Sequence, residues 1–270
     1  GNVVRTASAL HLERLEQRIP SDPRAGREVN ELTSALNAML DRIERAAKGL
    51  RRFTADAAHE LRTPLSILAS DIEVCLRRPR DAAALRATLE STAEGLGRLA
   101  QLVDLLLTLA RFDAGELPVS RAAVDLRELL TQIAEPYQAV AAERNVTLRL
   151  LPIGPAVALR TDALLLGRAV ANLLDNACKF TPPGGTITLG TERAGDTVAI
   201  TITDDGPGLL DAERDRAFER FYRGVDHRGS TEGFGLGLSL TREFLTALGG
   251  TVALQCGAGG GTRAVLRLPQ

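Results

Sequence analysis

A heptad run is the feature that most restricts this chain. Leu32, Leu36, Met39, Ile43, Ala46, Leu50, Phe53 and Ala57 step by four and three residues, so they line one edge of a single α-helix. Strands alternate with period two and cannot present that spacing on one face. The run therefore predicts one long helix from about residue 28 to about residue 77, with an apolar seam that needs a partner. Inside it lies Arg52-Phe53-Thr54-Ala55-Asp56-Ala57-Ala58-His59-Glu60-Leu61-Arg62-Thr63-Pro64-Leu65-Ser66. If the phase continues, Glu60 falls next on the seam and His59 sits beside it, on a flank where an imidazole can meet a group from another domain. Glu60 is placed to accept a hydrogen bond from Nδ1–H, which fixes the tautomer and leaves Nε2 as the nucleophile. Thr63 lies one turn further along the same face. Pro64 removes a backbone donor and is expected to bend the helix there.

The helix should end near Arg77-Arg78-Pro79, where proline stops it and Asp81 can cap the next helix. That second helix, residues 81 to about 114, carries Leu85, Leu89, Ala93, Leu96, Leu99, Val103, Leu106 and Ala110 as one stripe. Two antiparallel helices with one apolar face each do not close a core. A four-helix bundle built from two chains does, so a homodimer is expected. Upstream, residues 3–16 read as a short amphipathic helix, and two prolines and a glycine mark residues 18–26 as an extended connector.

At Asp113-Ala114-Gly115-Glu116-Leu117-Pro118 the helical pattern stops in a hinge. Beyond it, helical patterns at 126–143, 162–180 and 239–248 alternate with β-rich runs at 146–150, 186–189, 197–203, 251–254 and 263–268. The strands predict a sheet with one wet face and helices on the other, a two-layer α/β sandwich.

Composition closes several alternatives. The 270 residues allow about two domains, and a net charge of −1 supplies no basic field for nucleic acid. Aromatics are 3% with no Trp, too few for base-stacking platforms. Cys75, Cys178 and Cys256 are scattered and odd in number, which suits reduced thiols rather than a disulfide framework or a zinc site. The most apolar run, at 102–110, is too short to span a bilayer and contains Asp104.

Four motifs in the second half converge on a nucleotide. Asn172 and Asn176 are spaced i,i+4 with Lys179 three further on, so two amides and an ammonium share a helix face; amide oxygens suit Mg²⁺ and the ammonium suits phosphate. Asp204-Asp205-Gly206-Pro207-Gly208 ends the strongest strand. A carboxylate there accepts the exocyclic amine of adenine and repels the carbonyl of guanine, while Gly206 and Gly208 permit close approach. Phe218-Glu219-Arg220-Phe221-Tyr222-Arg223 offers aromatics to anchor a lid at about 224–232, with Arg223 within reach of a terminal phosphate. Gly233-Phe234-Gly235-Leu236-Gly237-Leu238 precedes a helix, so free N–H groups there face phosphates. No βαβ unit surrounds these glycines and no Walker lysine accompanies them, which excludes the Rossmann and P-loop readings.

His-Glu-Leu-Arg-Thr-Pro-Leu-Ser at 59–66 resembles the H-box of sensor histidine kinases. The stretch from Asn172 to Pro182 resembles their N-box, Asp204 to Gly208 the first glycine box, Phe218 to Arg223 the F-box, and Gly233 to Leu238 the second glycine box. Their order also resembles the Bergerat (GHKL) ATPase fold shared with DNA gyrase and mismatch-repair ATPases. The resemblance implies three parts: a partial HAMP-like linker or coiled coil at 1–47, a dimerisation and phosphotransfer hairpin at 48–116, and an ATP-binding domain at 117–270. It implies that His59 takes the γ-phosphoryl group of Mg²⁺-ATP, with the metal held at Asn176, and passes it to an aspartate on a separate response regulator. Thr63 then serves a phosphatase activity on that regulator. It also implies ATP contacts at Asn172, Asn176, Lys179, Asp204, Gly206, Gly208, Phe221, Arg223, Gly233, Gly235, Leu236 and Gly237. The chain is then the cytoplasmic portion of a bacterial inner-membrane protein, anchored by a segment that precedes Gly1. The competing reading is a dimeric regulatory module that binds nucleotide without transfer; a gyrase-like clamp leaves the His59 helix without a role.

Overall fold

A computed structural model describes residues 18–20, 26–77, 81–151, 158–195, 197–224, 233–257 and 259–269. The helix expected at 3–16, most of the connector, the turn at 78–80 and the lid at 225–232 lie outside these. The chain divides after residue 80 into two compact units.

The first unit is dominated by α1, Arg27–Leu76, a helix of 50 residues. It runs through Pro64, whose missing N–H leaves the Glu60 carbonyl without its i+4 donor. The expected seam is largely open in one chain: Leu32, Met39 and Leu50 are 57%, 58% and 61% exposed. What is described of the connector lies along α1. The Asn37 amide accepts from the Ile19 N–H and donates to the Ile19 carbonyl, both at 2.9 Å, and Arg18 pairs with Asp41 and Glu44.

The second unit opens with α2, Ala82–Asp113, capped by the Asp81 carboxylate on the Ala84 N–H at 2.7 Å. None of the expected stripe is buried in one chain. Gly95, Leu102 and Leu109 are the buried positions, whereas Leu85, Leu89, Leu96 and Val103 are exposed. The apolar face of α2 is wider than a single stripe, so a line drawn along it misses the edge that one chain can cover by itself. A Schellman stop ends the helix: the Gly115 N–H reaches the Phe112 carbonyl and the Glu116 N–H the Arg111 carbonyl, with Gly115 at φ 70°.

Five strands form the main sheet in the order β2-β4-β5-β7-β6: β2 Thr147–Leu150, β4 Thr186–Ala194, β5 Thr197–Asp204, β6 Thr251–Cys256 and β7 Thr262–Pro269. Among the described residues, β2 and β4 are the one parallel pair. Helices α3 (Leu126–Glu143), α4 (Ala163–Phe180) and α6 (Gly237–Ala247) form the second layer, as the periodicity predicts. Val198, Ile200 and Ile202 alternate along β5 and are buried with Leu189, Leu266 and Leu268 on the paired strands. The opposite face is not wet at its centre, because Leu151 lies over Gly190 beside Thr201, which is itself buried. Two short strands that sequence reading misses, β1 (Ala122–Asp125) and β3 (Ala158–Thr161), pair antiparallel. Also missed is α5, Asp211–Arg214, followed by a 3-10 turn at Arg216–Phe218.

Candidate functional site

In the first unit, His59 projects from the middle of α1 with its side chain 77% exposed. Glu60 is adjacent but its carboxylate is 3.9 Å from Nδ1, close enough for charge attraction and too far for a hydrogen bond. The Thr63 hydroxyl donates to the His59 carbonyl at 3.2 Å. This turn of α1 thus carries an unencumbered imidazole, with one carboxylate and one hydroxyl beside it.

In the second unit, α4 positions the polar stripe by burying everything else. Asp162 caps it, accepting the Leu164 and Leu165 N–H groups. Leu165, Leu166, Ala169, Val170, Leu173, Leu174, Ala177 and Cys178 all go into the core. Each buried Leu contributes on the order of 2 kcal/mol, so the rotational setting of the helix is firmly fixed. Asn172, Asn176 and Lys179 are left half-buried along one side. Tyr137 on α3 locks this register by donating to the Ala171 carbonyl at 3.0 Å, and burial there pushes the phenol up to about 12.

The glycine segment before α6 meets this stripe. The Asn172 amide donates to the Gly237 carbonyl at 3.3 Å, and Lys179 Nζ comes within 3.6 Å of where a Gly233 Cβ would stand. Lys179 is also held by Asp175 at 2.5 Å, a partner that the sequence reading does not assign. Asn176 makes no side-chain hydrogen bond among the described residues, so its amide oxygen is available. Leu236 is buried, so its side chain belongs to the core and only its backbone faces the site.

Phe221 and Gly235 pair in a neck at the two ends of the segment expected to be a lid. Both have positive φ, 61° and 68°, and the Phe221 N–H donates to the Gly235 carbonyl at 2.9 Å. A Cβ at Gly235 would sit 2.8 Å from the Phe221 carbonyl carbon, so glycine is required for the two strands of the neck to meet. Arg242 on α6 stacks over the Phe218 ring and donates to its carbonyl, and the Tyr222 hydroxyl bonds Glu213. Arg223 stands at the lid's entry, half-buried.

Asp204 ends β5 with one carboxylate oxygen fully engaged. Oδ1 accepts from the Gly206 N–H at 2.8 Å and the Thr262 N–H at 3.2 Å, which leaves Oδ2 to a ligand. Burial raises the Asp204 pKa, and the two backbone donors only partly offset it. A Cβ on Gly206 would lie 3.1 Å from the Phe180 carbonyl oxygen, so this box meets the end of α4, the helix that carries the Asn172–Lys179 stripe. Sequence reading misses the loop that supports it. A Cβ on Gly261 would lie 1.9 Å from the Asp204 carbonyl oxygen, and one on Gly208 would lie 2.2 Å from that of Gly260. The signal was present as Gly259-Gly260-Gly261-Thr262 before a strand. Contacts thus link Asn172 to Gly237, Lys179 to the Gly233 position, Gly206 to the end of α4 and Phe221 to Gly235.

No three His, Cys, Asp or Glu residues converge to hold a metal among the described residues. An Asn176 oxygen without a partner fits a cation that takes its remaining ligands from phosphates and water, which is how Mg²⁺ is commonly held.

Comparison with known proteins agrees with this geometry. Residues 49–115 match the family described as His Kinase A (phospho-acceptor) domain, and residues 161–270 match Histidine kinase-, DNA gyrase B-, and HSP90-like ATPase. The chain is 36% identical over 251 residues to sensor protein IrlS of Burkholderia pseudomallei, covering 92% of this chain and 53% of that protein. It is 34% identical over 268 residues to sensor protein CzcS of Cupriavidus metallidurans, covering 99% and 56%. The chain thus spans about half the length of the curated relatives it matches. Full-length ShkA, solved in complex with AMPPNP, superposes with a TM-score of 0.61 at 27% identity, covering 81% of this chain and 45% of that one. A phospho-acceptor domain followed by this ATPase fold places the chain in the family of two-component sensor histidine kinases.

Proposed function

We propose that this chain phosphorylates its own His59 from Mg²⁺-ATP and hands the group to an aspartate of a response regulator. The observation that carries the reading is that one chain holds both halves of a phosphoryl transfer: an exposed imidazole with a carboxylate beside it, and a nucleotide site with a poised Asp204. The AMPPNP bound to ShkA supports an adenine nucleotide in the corresponding fold.

Asp204 Oδ2 accepts the adenine amine, which sets the base. Lys179, the N–H groups ahead of α6 and Arg223 meet the phosphates. Asn176 is the residue that holds Mg²⁺, which when bound supplies charge neutralisation on the phosphate oxygens. Neutral His59 attacks through Nε2: the N–P bond forms, the bond to the bridging oxygen breaks, and ADP leaves with that electron pair. The ring becomes cationic, and Glu60 steadies the proton on Nδ1.

We read residues 48–116 as the dimerisation and phosphotransfer hairpin, 117–270 as the ATP-binding domain and 1–47 as the end of a HAMP-like linker, the last supported by the Asn37 clamp on Ile19. The open seam of α1 and the exposed Leu85, Leu89 and Leu96 of α2 support a homodimer closing a four-helix bundle. Light scattering is expected to give twice the chain mass of 28.8 kDa, and the monomer mass at micromolar concentration would remove that reading. By family, the intact protein is anchored in the inner membrane through a preceding segment.

Incubation with γ-labelled ATP and Mg²⁺ tests the central claim. Covalent label that is stable to base and labile to acid marks phosphohistidine; nucleotide binding without label leaves the regulatory-module reading. Phosphatase action on the regulator is assigned to Thr63. Thr63→Ala is expected to autophosphorylate normally and to dephosphorylate the regulator about tenfold more slowly, the loss typical of one positioning contact. Unchanged dephosphorylation would take Thr63 out of the scheme.

A further inference from the structure

Asp113 is the last residue of α2, a position where the helix dipole disfavours an acid. Its carboxylate is met by Arg220, which stands just ahead of the lid neck at Phe221. Arg220 Nη1 donates to Asp113 Oδ2 at 2.7 Å and Nη2 to Asp113 Oδ1 at 2.6 Å, a bidentate fork, and Nη2 also approaches Glu243 Oε1 on α6 at 3.4 Å. Arg220 and Glu243 are mostly covered, with side chains 25% and 18% exposed. The contact joins residues 107 positions apart and crosses the hinge.

That hinge is short. Gly115 and Glu116 are bonded back to α2, and the Ser120 N–H is bonded forward to Asp162 at 2.7 Å. Only Leu117, Pro118 and Val119 lie between these two anchors. One covalent tether leaves the nucleotide-binding domain free to rotate about it, whereas a second attachment beside the tether turns it into a fixed joint. The second attachment combines this half-exposed ion pair, worth little enough to break on the time of a turnover, with a contact between α2 and α6. A guanidinium fork is also directional, so it fixes one orientation rather than a range of them.

We propose that Arg220 is a breakable latch that parks the nucleotide-binding domain on the end of its own α2, and that this latch opens each time nucleotide is carried to His59. The second half rests on the phosphoryl-transfer reading above; the first does not.

The test is hydrogen exchange across residues 110–121 of the full chain, together with the autophosphorylation rate, for the parent, Asp113→Asn and Asp113→Glu. With the latch, Asp113→Asn speeds exchange about three- to tenfold, the size of a half-exposed ion pair, and Asp113→Glu restores most of the protection. Raising NaCl from about 0.05 to about 0.5 M speeds the parent toward the Asn variant and leaves that variant unchanged. If the pair were inert, neutralising an acid at a helix C-terminus would leave exchange unchanged or slow it, and the latch would fall. Phosphorylation of His59 is expected to be faster in Asp113→Asn with the ATP KM unchanged. A slower rate would overturn the parking role by making the joint the productive pose. If no chain takes label, the kinase reading fails, and exchange alone still decides the latch.

Discussion

With Asp204 replaced by asparagine, the chain is expected to lose affinity for adenine nucleotides by about two to three orders of magnitude while remaining folded. The two backbone donors decide the outcome. The Gly206 and Thr262 N–H groups both point at Oδ1, so they hold an asparagine with its carbonyl oxygen in that place and its NH₂ where Oδ2 had been. A donor then faces the adenine amine, itself a donor. Loss of a charge-assisted hydrogen bond together with an unpaired buried donor amounts to about 3–4 kcal/mol. A fluorescent ATP analogue titrated against both chains measures this, and an affinity within threefold of the parent would show that Asp204 does not read the base.

The same substitution has an opposite effect on stability. Burial raises the Asp204 pKa in the folded chain, so the folded state holds this proton to higher pH than the unfolded state does. The contribution is therefore fully present below the ordinary carboxylate pKa and is lost as pH rises through the raised one. Asp204→Asn has no charge to bury. Its Tm advantage over the parent is expected to grow as pH rises through that window; parallel Tm curves would contradict the assignment.

His59→Gln is expected to bind nucleotide as the parent does and to take no label at all. Glutamine is a good helix former and the site is 77% exposed, so the change leaves α1 intact. It also leaves every residue of the nucleotide site in place. What disappears is the only nucleophile at that position, and no neighbour replaces it: Glu60 forms an unstable mixed anhydride and Thr63 is bonded to the His59 carbonyl. Residual base-stable label on the variant would move the acceptor to His11 or His227.

Much of the molecule was legible from periodicity and caps, because those signals are local. The heptad run set α1, and α3 and α4 begin where their patterns do because Asp125 and Asp162 cap their first turns within a few residues of themselves. His59, Asn176, Asp204 and the glycines ahead of α6 stood out as candidates for the same reason: each sits in a short motif that resembles one of the family's boxes. The four-residue strands β1 and β3 were not legible, since neither has enough alternation to stand out and each exists only by pairing with the other.

What the sequence by itself determined is the list of elements and of reactive groups. The tertiary structure alone decided which atoms of those groups are already spent. Asp204 Oδ1 is taken by Thr262, 58 residues away, and Asn172 gives a donor to Gly237, 65 residues away. Arg220 reads in sequence as one more charge in an aromatic box, yet it closes on Asp113 across the hinge. The physical reason is range. Helix phase and capping act within about four residues, whereas a hydrogen bond or ion pair needs only that folding bring two groups within about 3 Å, and the chain between them carries no mark of it.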